Sequence, residues 1–348
     1  MIKNKLIIST GVGYGHVTRD QAIAEKLSGK IFFAGYGCSY NYLKAFYPTI
    51  KISGIRFSDA RNILKFRKLF IPANFVSLFY SIFDYFRLRK LIKKENIKVI
   101  ISDNEPIAKF LSKKGEIKSV LIHNQNLKGL WKIIKGDYNS DMRLLAKLTK
   151  SLIEWGHKNA DLVITPSLLG KTEHKGRYYS VGSIVRKSEN KVSNNAILVM
   201  LGGSRFGLFM ADKIIKLAEE LNEQFIIFGY KEDLGLKNVK AFKFNPNFID
   251  YLKDAKAVIS LSGHSAISEC LVHKKACLIL PIQNHVEQYL NAKTVEKIYP
   301  VIYTEPSEKE LKRQIKLLLK NRTKIENKIK KLRLKEGTEL AAELINNL

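Results

Sequence analysis

Twice in this chain a short apolar run ends in a glycine-rich loop that opens a helix. Leu6 to Ser9 is followed at once by Gly11-Val12-Gly13-Tyr14-Gly15-His16, and Arg19 to Leu27 then carries helical periodicity. Ala196 to Leu201 leads into Gly202-Gly203-Ser204-Arg205-Phe206-Gly207 and a helix reaching about Leu221. A buried strand, a glycine turn and an amphipathic helix are how doubly wound α/β domains begin. Two such openings in 348 residues, with 45% hydrophobic content, predict two Rossmann-like domains with substantial cores. Further strand-like runs are Lys30–Ala34, Lys98–Ser102 and Ala160–Pro166 in the first half, the last read as that domain's final strand. Gln224–Phe228, Lys240–Phe244, Val258–Leu261 and Ala276–Leu280 follow in the second. The polar run Lys187–Asn195 marks a linker, so domains are expected at 1–184 and 185–330, with a terminal helix over 331–348. Lys309–Lys320 and Thr323–Leu348 read as two lysine-rich amphipathic helices.

The net charge of +28, from 60 Lys+Arg against 32 Asp+Glu, favours a polyanionic partner: a nucleotide ligand, an anionic membrane or nucleic acid. The excess is spread along the whole chain, without basic tails, zinc-finger spacing or a helix-turn-helix pattern. Charge alone therefore supports membrane and nucleic acid about equally, and nucleic acid is the less expected partner once the motifs below are read. Cys38, Cys270 and Cys277 lack metal-type pairing and read as small buried hydrophobes of a reducing compartment. The apolar run of the amino terminus is too short for a signal peptide, so a cytoplasmic protein is expected.

The densest chemistry lies between Val258 and Asn291. A strand, the turn Ser262-Gly263 and a helix over Ser265–His273 create an anion site, because backbone N–H groups converge at a helix start. Glu269, one turn into that helix, offers a carboxylate to sugar hydroxyls, and Glu287, Gln288 and Asn291 add polyol-binding groups. Together they suggest a nucleotide-sugar pocket. A dinucleotide fingerprint fails, since His16 stands where its last glycine belongs and no acid follows the Lys30–Ala34 strand. His16 is either a histidine bonded to its own loop or a general base, for which an ordinary pKa of ~6.5 is well placed. Asp103, at the carboxyl end of the Lys98–Ser102 strand, either caps the next helix or bonds the far nitrogen of His16. Asp103-x-Glu105 also has the form of a metal-binding pair, but not its fold context.

These motifs, in this order, resemble the GT-B glycosyltransferases, most nearly the peptidoglycan N-acetylglucosaminyltransferase family (family 28). The resemblance rests on Gly202–Gly207, Ser262-Gly263, Glu269, Pro281, Glu287-Gln288 and Asn291-Ala292. It extends to the linker Gly182-x-x-Val185-Arg186 and to His123-Asn124-Gln125-Asn126 with Gly129, where asparagine at 124 replaces the family's glutamate. It implies two Rossmann-like domains facing across a cleft, with the last helix crossing back to the first. It further implies an inverting, metal-independent enzyme with no cofactor. Such an enzyme moves a sugar from a UDP-sugar, UDP-N-acetylhexosamine or UDP-hexose, to a hydroxyl acceptor, lipid-linked acceptors included. In that reading His16 is the base and Asp103 its partner. Arg186, Gly203, Ser204, Arg205, Gly263, His264 and Ser265 face the diphosphate, and Phe244 the base. Glu269 holds the ribose, and Glu287, Gln288 and Asn291 the donor sugar. Gly13, Gly15, Gln125 and Asn126 lie toward the acceptor. A non-hydrolysing nucleotide-sugar epimerase shares the architecture and is the nearest rival. A basic nucleic-acid- or membrane-binding protein with a vestigial site is the other.

One block stands apart. Arg61 to Lys94 holds nine basic residues interleaved with eight aromatics, and Asp84 is its only acid. Its uncharged centre, Leu69–Phe83, is too short for a bilayer span of ~20 apolar residues. It reads either as a core helix pair with solvated lysines or as a patch lying on an anionic leaflet. Membrane-associated relatives carry such a patch, which implies a peripheral position at the cytoplasmic face.

Overall fold

The computed structural model describes residues 2–348 except 56–62, 113–115, 189, 191, 204–206, 231–234, 244 and 246. Two compact units emerge. Unit 1 comprises Met1–Ser58, Lys65–Val185 and Lys335–Leu348, and unit 2 comprises Asp59–Leu64 and Arg186–Leu334.

Unit 1 is built on strands β1 (Asn4–Ser9), β2 (Ile31–Gly35), β3 (Thr49–Lys51), β4 (Ile97–Asp103), β5 (Lys118–Ile122), β6 (Leu162–Pro166), β7 (Glu173–Lys175) and β8 (Tyr178–Val181). Their order is β3-β2-β1-β4-β5-β6-β8-β7, parallel throughout except for the β7–β8 pair. Side chains alternate between faces along a strand, and both faces here are apolar, as a covered parallel sheet requires. Ile7, Val99 and Ile101 point to one face with Val17 and Ile23 of α1 (Gly15–Ala24) and Leu43 of α2 (Gly37–Leu43). Leu6, Ile8 and Ile100 point to the other, under Leu88 and Ile92 of α3 (Pro72–Lys94) and Ala108 and Leu111 of α4 (Ile107–Leu111). Helices α5 (Leu127–Lys135) and α6 (Ser140–His157) link β5 to β6.

Unit 2 repeats the scheme with β9 (Ile197–Met200), β10 (Phe225–Phe228), β11 (Val239–Phe242), β12 (Ala257–Ser260) and β13 (Cys277–Ile279), ordered β11-β10-β9-β12-β13 and all parallel. Its helices are α7 (Leu208–Leu221), α8 (Phe248–Leu252), α9 (His264–Val272), α10 (Val286–Val295) and α11 (Glu308–Lys331). In both sheets the order reverses beside the first strand, between β1 and β4 and between β9 and β12. Doubly wound folds collect their ligand loops at the strand carboxyl ends of such a switch point.

The structure corrects the sequence reading in three places. Ala160–Pro166 does not end the first sheet, because β8 pairs parallel with β6 and β7 closes the edge. The two carboxyl-terminal helices divide elsewhere. α11 runs unbroken through Asn321 to Lys331, since nothing there removes a backbone donor, and the break falls at Arg333, with φ of 47°, and Gly337. Only α12 (Thr338–Asn346) remains beyond it. It packs in unit 1, where Lys26 pairs with Glu339 at 2.8 Å and Asn346 Oδ1 accepts from the Ser28 backbone N–H at 3.0 Å. The described part of the aromatic block is one helix, α3, whose amino-terminal aromatics are exposed while Leu88 and Ile92 enter the core, preceded by a turn of 3-10 helix over Phe66–Leu69, rather than a core pair.

Candidate functional site

At the switch point of unit 1 the loop after β1 is held against β2. A Cβ on Gly11 would fall 1.9 Å from the Tyr36 carbonyl oxygen, and the Gly11 carbonyl accepts from the Cys38 N–H at 3.1 Å. Gly13 then takes a φ of 75°, which turns the chain into α1, with Gly15 and His16 as its first two residues. His16 Nδ1 lies 3.0 Å from Asp103 Oδ1 at the end of β4. Asp103 does not cap α4, whose preceding residue is Pro106.

Sequence reasoning missed the group that completes this pair. Arg19, three residues after His16 on the same helical face, is 2% exposed. Its Nη2 donates to both Asp103 oxygens, at 2.6 and 2.8 Å, and its Nε donates to Oδ2 at 3.2 Å. Burial pushes the Asp103 carboxyl up, but the Arg19 guanidinium and then His16 outweigh it and hold it well below the usual carboxylate range. Arg19 Nη2 also comes within 3.1 Å of His16 Nδ1. In the tautomer with its proton on Nδ1, His16 donates to the ionised Asp103 carboxylate and the lone pair is left on Nε2. Asp20 is fully buried beside them, and burial followed by the Asp103 charge drives its pKa well up. The signal in the sequence was the His16-x-x-Arg19 spacing.

Glu105 lies two residues past Asp103 and accepts from the Thr10 hydroxyl at 2.9 Å. Burial pushes it up to about 7, against the hydrogen bonds from Thr10 and Tyr36 that favour its charge. On the next strand end His123 is 2% exposed. Its Nδ1 faces the Gln125 N–H at 3.3 Å and its Nε2 lies 2.8 Å from His157 Nε2. Burial, then His157, lowers it to about 3, so it is neutral. Gln125 is buried and lines a cavity beneath the helices of unit 1. Asn126 caps α5, accepting from the Gly129 N–H at 3.1 Å, which gives the Asn126–Gly129 spacing a structural role.

In unit 2, β9 ends in a loop where Gly202 and Gly203 take φ of 68° and 74°. Ser204, Arg205 and Phe244 fall outside the described residues. Gly207 caps α7. Gly263 caps α9, so the first N–H groups of that helix, from His264 and Ser265 onward, point toward its start. The turn before it is braced. Ser262 is fully buried at φ of 68°, its hydroxyl donates to the Gln288 carbonyl at 2.7 Å, and its carbonyl accepts from Asn291 Nδ2 at 3.1 Å. Gln288 Oε1 accepts from the Ile282 N–H at 2.9 Å, and Glu287 sits in the first turn of α10. Gln288 and Asn291 thus hold the backbone that presents α9. Glu269 is 2% exposed, and burial pushes it up to about 7 while Arg186 draws it down. The guanidinium of Arg186, itself buried, stacks 5.0 Å from the centre of the Phe248 ring.

Comparison with known proteins agrees with this architecture. The family model described as glycosyl transferase family 1 matches residues 5–321. A UDP-N-acetylglucosamine–N-acetylmuramyl-(pentapeptide) pyrophosphoryl-undecaprenol N-acetylglucosamine transferase of Clostridium perfringens is 25% identical over 99% of this chain and 98% of its own. An uncharacterized glycosyltransferase of Methanopyrus kandleri is 23% identical over 74% of this chain and 77% of its own. Among solved structures, MurG of Acinetobacter baumannii matches 99% of this chain and all of its own at a TM-score of 0.63, with 13% identity. A UDP-glucosyltransferase of Polygonum tinctorium reaches 0.72 over 100% of this chain and 98% of its own, with 14% identity. The doubled switch-point fold is therefore GT-B, and with the family model spanning nearly the whole chain, this protein belongs to glycosyl transferase family 1 and is a glycosyltransferase.

Proposed function

We propose that the enzyme is an inverting, metal-independent transferase that moves a sugar from a UDP-sugar, a UDP-N-acetylhexosamine or UDP-hexose, to a hydroxyl acceptor presented on a lipid. The observation that carries this reading is His16 Nδ1 at 3.0 Å from an aspartate that Arg19 keeps ionised. That arrangement prepares Nε2 to accept the proton of the acceptor hydroxyl as its oxygen attacks the anomeric carbon. The bond from that carbon to the UDP oxygen breaks on the opposite side, so the configuration inverts. The imidazolium that forms is stabilised by Asp103, and base catalysis of this kind contributes typically ~10²–10⁴-fold.

In unit 2 the start of α9 and the Gly202-Gly203 turn offer backbone N–H groups to the departing diphosphate, with Arg186 as a cation in place of a metal. Glu269 accepts from the ribose hydroxyls. Uracil as the base is supported by the donor named for the Clostridium perfringens relative, UDP-N-acetylglucosamine. Support for a lipid-borne acceptor comes from α3, where Phe75, Leu78, Phe79, Ile82, Phe83 and Phe86 are 53–70% exposed. Arg87, Arg89, Lys90, Lys93 and Lys94 follow them on the same helix, a combination suited to lying on an anionic leaflet. Among the described residues no helix is long and apolar enough to cross a membrane.

The test is calorimetry with UDP together with transfer assays on wild type and His16→Ala. Wild type should bind UDP and yield a product of inverted anomeric configuration. His16→Ala should bind UDP alike and lose transfer. Full transfer by His16→Ala would overturn the base, and a new UDP-sugar formed without acceptor would point to epimerisation instead.

A further inference from the structure

Unit 1 contains a cavity of about 210 Å³ that the reaction at His16 leaves unused. It lies between α4 and α6 over the sheet, with walls that include Ile100, Ala108, Leu121, Leu152 and Trp155. By comparison, an engineered cavity of roughly 150 Å³ lined by apolar side chains is enough to admit benzene. One end is polar. Asn104, Glu105 and Gln125 line it, each just past the carboxyl end of β4 or β5, so they neighbour Asp103 in sequence and in the sheet. Gln125 is 7% exposed, and among the described residues its Oε1 finds no hydrogen-bond donor. A buried amide oxygen left so is costly unless a ligand satisfies it.

The outer surface leads into the same cavity. Leu144, Leu148 and Leu152 recur every four residues on α6 and are 39–44% exposed, and Leu152 itself lines the cavity. Over eight residues a helix rises about 12 Å, so the stripe is a path longer than any single ring needs. Phe110, 62% exposed, meets Trp155 from α4 at 5.6 Å between ring centres. Cations flank the path: Lys109 lies 3.6 Å from the centre of the Trp155 ring, and Arg143 and Lys147 are exposed on α6.

From this juxtaposition we infer that the α4–α6 cavity and the leucine stripe form a binding groove for the chain of an anionic, phosphate-bearing lipid, the carrier of the acceptor. The apolar walls take the methylenes, the cations meet the phosphate, and Gln125 Oε1 accepts from a hydroxyl of the head group. The inference rests on the transferase reading for the identity of the lipid as acceptor carrier. It is separate from the exposed face of α3, which would touch the bilayer and not an individual chain.

The experiment uses full-length protein with Trp131→Phe, which leaves Trp155 as the remaining tryptophan of the two. Its fluorescence is followed on titration with butyl, hexyl, octyl and decyl phosphate below their micelle concentrations, and with inorganic phosphate. Burial of each added methylene should raise affinity about fourfold until the groove is filled, with inorganic phosphate weakest. Leu152→Glu, at a half-exposed position that tolerates substitution, should weaken decyl phosphate at least tenfold and leave butyl phosphate nearly unchanged. Affinity independent of chain length, or decyl phosphate binding indifferent to Leu152→Glu, would overturn the groove. Phe79→Glu with Phe83→Glu supplies the bilayer arm. It should abolish the salt-resistant binding to phosphatidylglycerol vesicles and spare decyl phosphate, whereas loss of both would assign the chain to α3 and sink the proposal. UDP calorimetry on the same protein reports on the donor reading independently, so a failure of either is distinguishable from a failure of the other.

Discussion

At the scale of single residues the electrostatics of unit 1 turn on Arg19. Removing one partner of a buried ion pair leaves an uncompensated charge, so Arg19→Met should destabilise unit 1 by about 3–5 kcal/mol, read as a shift in the thermal midpoint. Asp103→Asn strands the guanidinium in the same way and also frees Nδ1 of His16 to exchange tautomers. It should therefore lower kcat more than it raises KM. In unit 2 the carboxyl of Glu269 is raised to about 7 from an ordinary 4.5, with burial as the first cause. A raised carboxyl pKa means that the folded state keeps a proton which the unfolded chain has released. Stability from this group is thus present at low pH and is lost as pH rises from about 4.5 through about 7. Glu269→Gln should flatten that loss, melting higher than wild type at pH 8 and alike at pH 4.5. Identical pH profiles of the two proteins would refute the assignment. His16, Asp103 and Glu269 were legible from their positions after strands and glycine turns. Arg19 was not, because an arginine inside a helix ordinarily reads as solvated, and only the return of β4 beside β1 brings Asp103 to it.

At the scale of elements the two doubly wound sheets could be read from repeated strand, glycine loop and helix patterns, since buried parallel strands are continuous apolar runs. β7 and β8 could not. Glu173–Lys175 is wholly exposed and polar, and it enters the sheet only because Tyr178–Val181 is already paired to β6. The end of α11 was misread for a related reason. Charged residues continue past Asn321, so composition carries no stop, whereas the actual stop is a left-handed Arg333 that no pattern announces. Helix α12 shows what a short element can contribute. Ala341 and Ile345 are fully buried in the same cluster as Val17 and Ile23 of α1. Ile345→Ala should therefore cost about 2–5 kcal/mol, the usual range for a buried isoleucine, in a urea unfolding experiment with unchanged m-value. A change under about 0.5 kcal/mol would show that α12 is a loosely attached tail.

At the scale of the whole molecule, charge and apolar exposure combine into one expectation. A net charge of +28 gives attraction to any anionic surface, but screening confines it to a Debye length of ~8 Å at physiological salt. Charge alone would therefore give vesicle binding that vanishes as salt is raised. The exposed face of α3 adds a contribution that salt does not screen, since burial of aromatic side chains in the headgroup region is an apolar transfer. Binding to vesicles containing anionic lipid should then fall with sodium chloride to a plateau rather than to zero. Phe79→Glu with Phe83→Glu should remove the plateau while keeping the salt-dependent part, and should leave the thermal midpoint nearly unchanged because both rings are already in solvent, at 60% and 53% exposure. Neutral phosphatidylcholine vesicles separate the two contributions further, as each basic residue near an anionic surface contributes ~1 kcal/mol that a neutral one withholds. Should wild type leave anionic vesicles completely at high salt, α3 is no membrane anchor, and its aromatic face must be covered by something other than lipid.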